Sequence, residues 1–254
     1  MLQQIALGGA MIALPIYLQM VLEYNALQAG LSLAPLSHSM FAVALPAGNK
    51  AGDRRPSSII RWGFVLLTVG IAALIPIVPR AEFGWGLVLP LMIAGSGLGL
   101  LVSQLNNFTL APIDEKRISE AAGVNSASGS FGLSFGLAFA GALMLATLSF
   151  TFTAMAETST VLPPSEQHRV AQVLEDDAQV VSNTQLESLL VEQPPAIGDE
   201  IVRINTESRP LALQVALLIP LVAGLAGILT SLRMGRIPRP VPLPGESGEK
   251  RDGA

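Results

Sequence analysis

The chain has 254 residues, of which 50 % are hydrophobic and 13 % charged, and its mean hydropathy is +0.53. A soluble domain carries about 25 % charged residues, so a water-soluble globular fold is excluded. With no Cys and only His38 and His168, disulfides, thiolate metal sites and a His-rich metal site are excluded as well, and no cofactor is expected.

Six apolar stretches follow one another at 4–21, 28–47, 58–77, 84–104, 122–150 and 211–232. A spanning helix needs about 20 mostly apolar residues. The runs are continuous rather than alternating, which predicts helices and not a barrel. The fold class expected is therefore an all-α integral membrane protein, a six-helix bundle.

The first span begins almost at Met1, with no basic residue and no small-residue cleavage site before it. Met1 is therefore expected to lie inside a longer chain. The span ends at the polar turn Glu23-Tyr24-Asn25. The second span contains Pro35 and, near its end, Pro46; membrane helices tolerate proline where neighbours re-satisfy the freed carbonyl. The third is plainly aliphatic, and Pro79-Arg80-Ala81-Glu82 makes the next turn. The fourth carries Gly95-Ser96-Gly97-Leu98-Gly99 and ends in Ser103-Gln104-Leu105-Asn106-Asn107. The fifth begins polar and then places Gly132 and Gly136 on one helix face, where small residues let two backbones approach closely.

Residues 152–208 differ. They hold ten Asp or Glu and two Arg. Their apolar residues still recur at helical spacing: Val170, Val173, Leu174; Leu186, Leu189, Leu190; Ile197, Ile201, Ile204. Pro163-Pro164-Ser165 and Pro194-Pro195 read as helix starts. Two or three short amphipathic helices outside the membrane are predicted, either as a solvated shield over the span ends or as an acidic guide for substrate. The domain reading is thus spans one to five over 1–151, an acidic extracytoplasmic helical loop over 152–208, the last span over 209–233 and a disordered cytoplasmic tail over 234–254.

Orientation follows the basic residues. Eleven of the fifteen Lys and Arg lie in the 48–61 link, the 105–121 link and the C-terminal segment from Arg233 onward. Those segments share one side if six spans alternate, so both termini are expected in the cytoplasm of a multi-pass plasma (inner) membrane protein.

Leu14-Pro15-Ile16-Tyr17-Leu18-Gln19, Ala26-Leu27-Gln28-Ala29-Gly30-Leu31 and Ala34-Pro35-Leu36 open the chain. The glycine run at 95–99 and Glu120-Ala121-Ala122-Gly123-Val124-Asn125-Ser126 follow later. In this order the chain resembles the C-terminal half of a major facilitator transporter of the fourteen-helix drug:proton antiporter branch, over residues 1 to about 236. That superfamily has a Gly-x-x-x-Asp-Arg signature after the second helix of each half. Here Asp53 and Arg54 match its pair, while Gly48 stands one residue too far upstream and Asn49 holds the strict position. A positive-inside loop accounts for Lys50, Arg54 and Arg55; it does not account for Asp53. The resemblance implies two three-helix units in inverted topology, with Gly48, Asp53 and Arg54 as a conformational-switch loop.

The resemblance also implies that the first and fourth spans line the substrate cavity. The polar residues on them, Tyr17, Gln19, Gln104 and Asn107, are the cavity candidates, against interhelical bonding or interface anchoring as the plainer roles. His38 is the ionisable residue deep within a span, a functional hypothesis by default; Ser37 and Ser39 offer the alternative of satisfying a neutral ring. No Asp or Glu lies inside a span, so proton coupling is implied by resemblance alone. An intramembrane serine protease would need Gly-x-Ser-Gly and a later His in a span. Ala94 stands two places before Ser96 and His168 lies in the acidic loop, so an enzyme is not expected.

The function expected is export of small molecules by alternating access, of the multidrug type and proton-coupled. The partners are the lipid bilayer, an N-terminal half of six to eight helices in the same or a separate chain, and a small-molecule substrate, with no nucleic acid. The alternative is a truncated or split membrane protein that binds a partner helix bundle without transporting.

Overall fold

A computed structural model of the chain describes residues 1–49, 56–80, 84–176, 183–191 and 193–234. Among the described residues all regular secondary structure is helical. The elements are α1 (Leu2–Ile16), which continues as a π turn (Tyr17–Val21), α2 (Ala26–Asn49), α3 (Pro56–Ile77), α4 (Val88–Leu110) and α5 (Ile118–Thr158). They are followed by α6 (Pro164–Asp176), α7 (Asn183–Leu189), α8 (Pro195–Ala216) and α9 (Leu218–Met234). Six helical stretches are long and apolar enough to cross a bilayer: Leu2–Val21, Ala26–Gly48, Pro56–Arg80, Gly84–Leu110, Glu115–Thr158 and Pro195–Met234.

The packing has an internal symmetry. In the membrane part α1 packs on α5 and α9, α4 packs on α2 and α3, and α3 packs on α9. Exchanging α1 with α4, α2 with α5 and α3 with α9 leaves that set of pairs unchanged. This pairing is consistent with two three-helix units forming one six-helix bundle.

Glycine sets the tightest of these contacts. On α4, Gly95 and Gly99 lie against the backbone carbonyls of Leu36 and Met40 on α2; on α5, Gly132 and Gly136 lie against those of Met1 and Ile5. A Cβ at any of the four would come under 3.0 Å from a carbonyl oxygen. Lipid tails are as apolar as the helices, so close backbone packing of this kind holds membrane helices together.

Two elements run further than the apolar stretches predict. The 41 residues of α5 make a rod of about 60 Å, about twice the hydrocarbon core. The third amphipathic helix of the acidic loop is not separate. It forms α8, which crosses the expected 208/209 boundary and leads directly into α9. Ile201, Ile204, Ala212 and Leu213 are all buried, so the face packed on α5 is continuous across the boundary. The rod breaks at Leu217, three residues before Pro220, which has no N–H for the preceding turn.

The insertion is built into the core. Leu162, Val170, Leu186, Ile201 and Ile204 form one buried cluster with Tyr17, Leu18, Leu74, Phe152 and Leu217. Beyond the membrane part, Glu200 clamps α8 to the end of α5: Ser159 Oγ donates to its Oε1 at 2.6 Å, and Arg203 donates to both its oxygens at 2.8 Å. These donors hold the Glu200 carboxyl at about 2, well below the usual carboxylate range. The tail expected at 234–254 lies outside the described residues after Met234.

Candidate functional site

The bundle has one open side. Helices α3 and α9 pack against each other and back α4 and α1. Gly9 of α1 faces Pro220 of α9, and Gly97 of α4 faces Leu67 of α3. Opposite those contacts, Leu7, Met11, Pro15 and Gln19 follow each other along α1, with Met11 55 % exposed. On α4 the matching stripe is Leu89, Met92, Ser96, Ser103 and Asn107. Helix α5 extends the side with the exposed Ser126, Ser130 and Ser134, reached from α1 past Gln4, which borders Gly129. Along this surface apolar residues such as Met11, Leu89 and Met92 are interspersed with uncharged polar ones, and none of the residues named on it is charged.

The four cavity candidates divide. Gln19 is half-buried on the α1 stripe and Asn107 is exposed on the α4 stripe. Gln104 is 1 % exposed and its Nε2 donates to the Ala47 carbonyl at 3.1 Å, joining α4 to the end of α2. Tyr17 is 1 % exposed and belongs to the core. Tyr17 and Gln19 both lie in the π turn, a rare geometry that frequently marks functional positions and that hydropathy does not reveal.

His38 lies two residues from both Leu36 and Met40, whose carbonyls face α4, so its side chain projects from the far side of α2. It is exposed, and its Nδ1 lies 2.9 Å from the Ala34 carbonyl. A carbonyl only accepts, so Nδ1 is the donor in this contact. Neither neighbouring serine satisfies the ring; Ser39 Oγ donates to the Leu36 carbonyl instead.

Gly48 is exposed at the end of α2 with no atom near its Cβ position. Asp53 and Arg54 lie outside the described residues. Gly132 and Gly136 occupy the α1–α5 contact described above. One link the sequence reading did not anticipate lies near the fourth-span polar cluster, where Asn125 Nδ2 donates to Asn106 Oδ1 at 2.9 Å and bridges α5 to α4. Among the described residues no group of three or more His, Cys, Asp or Glu is placed to hold a metal.

Residues 1–137 match the family model described as Major Facilitator Superfamily. The chain is 27 % identical over 150 residues to the "Probable actinorhodin transporter" of Streptomyces coelicolor, covering 58 % of this chain and 26 % of that protein. It is 28 % identical over 174 residues to "Multidrug resistance protein Stp" of Mycobacterium tuberculosis, covering 68 % and 32 %. It is 28 % identical over 136 residues to the "Uncharacterized transporter YebQ" of Escherichia coli, covering 54 % and 29 %. The chain thus spans about a quarter to a third of the length of the relatives it matches.

Proposed function

The chain belongs to the Major Facilitator Superfamily, a membrane transporter family and not an enzyme family, and from that premise we propose that it is the C-terminal half of an exporter of small molecules. The reading that fits best is proton-coupled efflux of the multidrug type by alternating access, in the fourteen-helix branch of the family. The observation that carries it is the open side of the bundle. Helices α1 and α4 are backed on one side by α3 and α9 and bare on the other, where Gln19, Asn107 and the α5 serines lie.

Facilitators bind substrate between two halves that rock about the site. A second half of six to eight helices would cover this side, and Gln19 and Asn107 would supply adaptable hydrogen bonds to substrate. Gln104 holds α4 to α2 in this scheme. Tyr17 serves as a packed pivot at the π turn. Gly48, Asp53 and Arg54 form the switch loop in the cytoplasm, on the side of both termini in the inner membrane. The relatives named as a multidrug resistance protein and a probable actinorhodin transporter favour export of small molecules.

In this reading His38, within the second span, is the candidate to carry the coupled proton. The test is efflux of a fluorescent cationic dye from proteoliposomes holding the chain together with an N-terminal half, driven by an imposed pH gradient. Transport should need both halves, and His38→Ala should flatten its pH dependence. Equal pH-dependent efflux with His38→Ala would remove His38 from the mechanism. No efflux from the paired halves with any dye would favour a partner-binding protein that does not transport.

A further inference from the structure

The turn after α1 is tied to a segment 161 residues away in the chain. Thr184, in the first turn of α7, donates its backbone N–H to Glu23 Oε1 at 2.8 Å and its hydroxyl to Glu23 Oε2. The tie continues inward. Asn183 Nδ2 donates to Thr206 Oγ1 at 2.9 Å, Asn205 Nδ2 donates to Asn183 Oδ1 at 2.6 Å, and Arg209 Nε donates to Asn205 Oδ1 at 3.0 Å. Asn205 and Arg209 are buried, and the Arg209 guanidinium interacts electrostatically with Glu23. The network therefore starts at α1, passes through α7 and ends in α8 just before the last span.

Three features make this more than incidental packing. First, α7 has seven residues, too few to hold a helix in water without tertiary contacts; its supports are buried Leu186 and this network. Second, Glu23 has φ 53, the left-handed region that is strained for a non-glycine residue and persists only where surrounding contacts hold it. Third, Glu23 comes two residues after the π turn, the irregular joint of α1.

We propose that α7 is a strap latched to Glu23, which holds the end of α1 in place and must release whenever α1 tilts or unwinds at its π turn. Releasing the latch relaxes the left-handed turn, so the strained, hooked state and the relaxed, unhooked state form a two-state element. The acidic insertion then acts on a helix of the open side without reaching that side. The latch stands apart from any transport reading, and its test needs no substrate.

The experiment is hydrogen exchange by mass spectrometry on the 254-residue chain in lipid nanodiscs. Glu23→Ala removes the acceptor, and exchange across 183–191 should rise about tenfold, as the loss of a charge-assisted hydrogen bond predicts. Thr184→Val alters only an exposed residue of α7, and coupling is reciprocal, so exchange across 17–25 should rise although α1 is untouched. The strap is overturned if 183–191 stays within about twofold of the native rate in Glu23→Ala, a change too small for one lost hydrogen bond. It is equally overturned if Thr184→Val leaves 17–25 unaltered.

Discussion

Glycine at 136 and glycine at 123 stand on the same helix, and replacing each by alanine should leave the two chains with different stabilities. Alanine is favoured over glycine in a helix by about 0.8–1.0 kcal/mol, and that gain applies to both positions. Around Gly123 there is nothing within 4 Å of the added Cβ, so Gly123→Ala should be stabilising by nearly the whole amount. At Gly136 the three nearest atoms are the O, C and Cα of Ile5, all backbone and all at 3.0 Å or less. No rotamer change relieves such a contact, so α1 and α5 must move apart. Overpacking of this kind costs about 1–3 kcal/mol. Subtracting one variant from the other cancels the propensity gain and leaves the contact, so Gly136→Ala should be less stable than Gly123→Ala by about 1–3 kcal/mol. The assay is unfolding by SDS in mixed micelles, followed by helical circular dichroism and by the fluorescence of Trp62 and Trp85. A Gly136→Ala chain as stable as Gly123→Ala would refute close backbone packing as the tie between these helices.

Glu200→Gln should loosen α8 from the end of α5 by about 1–2 kcal/mol, the worth of charge-assisted hydrogen bonds reduced because the Arg203 partner is half-exposed. The Glu200 carboxyl titrates at about 2 in the fold against 4.5 for a free one, so its stabilisation is complete above pH 4.5 and is lost as pH falls toward 2. Exchange of the first turns of α8 should rise over that acid range in the native chain and stay flat in Glu200→Gln. Gln104→Leu should cost about 0.6 kcal/mol and no more than about 1.7 kcal/mol, the range for interhelical bonds in membranes, read by the same SDS unfolding; unchanged stability would mean that the bond to Ala47 holds nothing.

Hydropathy and spacing carried the six spans, because a bilayer demands long apolar helices whatever their neighbours. Helical recurrence of Ile197, Ile201 and Ile204 showed the third amphipathic helix as well. Its fusion with the last span was hidden, since Arg209 and Pro210 read as a boundary while the buried face runs through them. Gln104 and Gln19 look alike in the sequence, both polar residues near the end of a cavity-side span. What separates them is the Ala47 carbonyl, a backbone acceptor that no side-chain pattern announces. The π turn was equally silent, because its residues, Tyr17–Val21, suit an ordinary helix. The Glu23–Thr184 tie joins positions 161 apart, and nothing local in either segment points to the other.

The paired rods of α5 and α8 also have a practical use. A bundle wholly sunk in a detergent belt has little mass outside it, so its orientation is hard to assign in single-particle images. Here α5, about 60 Å long, and α8, about 33 Å long, run against each other and are joined at one end by the Ser159–Glu200 hydrogen bond. An antibody fragment bound across Ser159 and the start of α8 would inherit the rigidity of both rods and serve as a fiducial. The natural absence of cysteine means that one cysteine placed at each rod tip takes a spin label cleanly, and the lever between the tips would magnify small rotations of the buried helices into measurable distances.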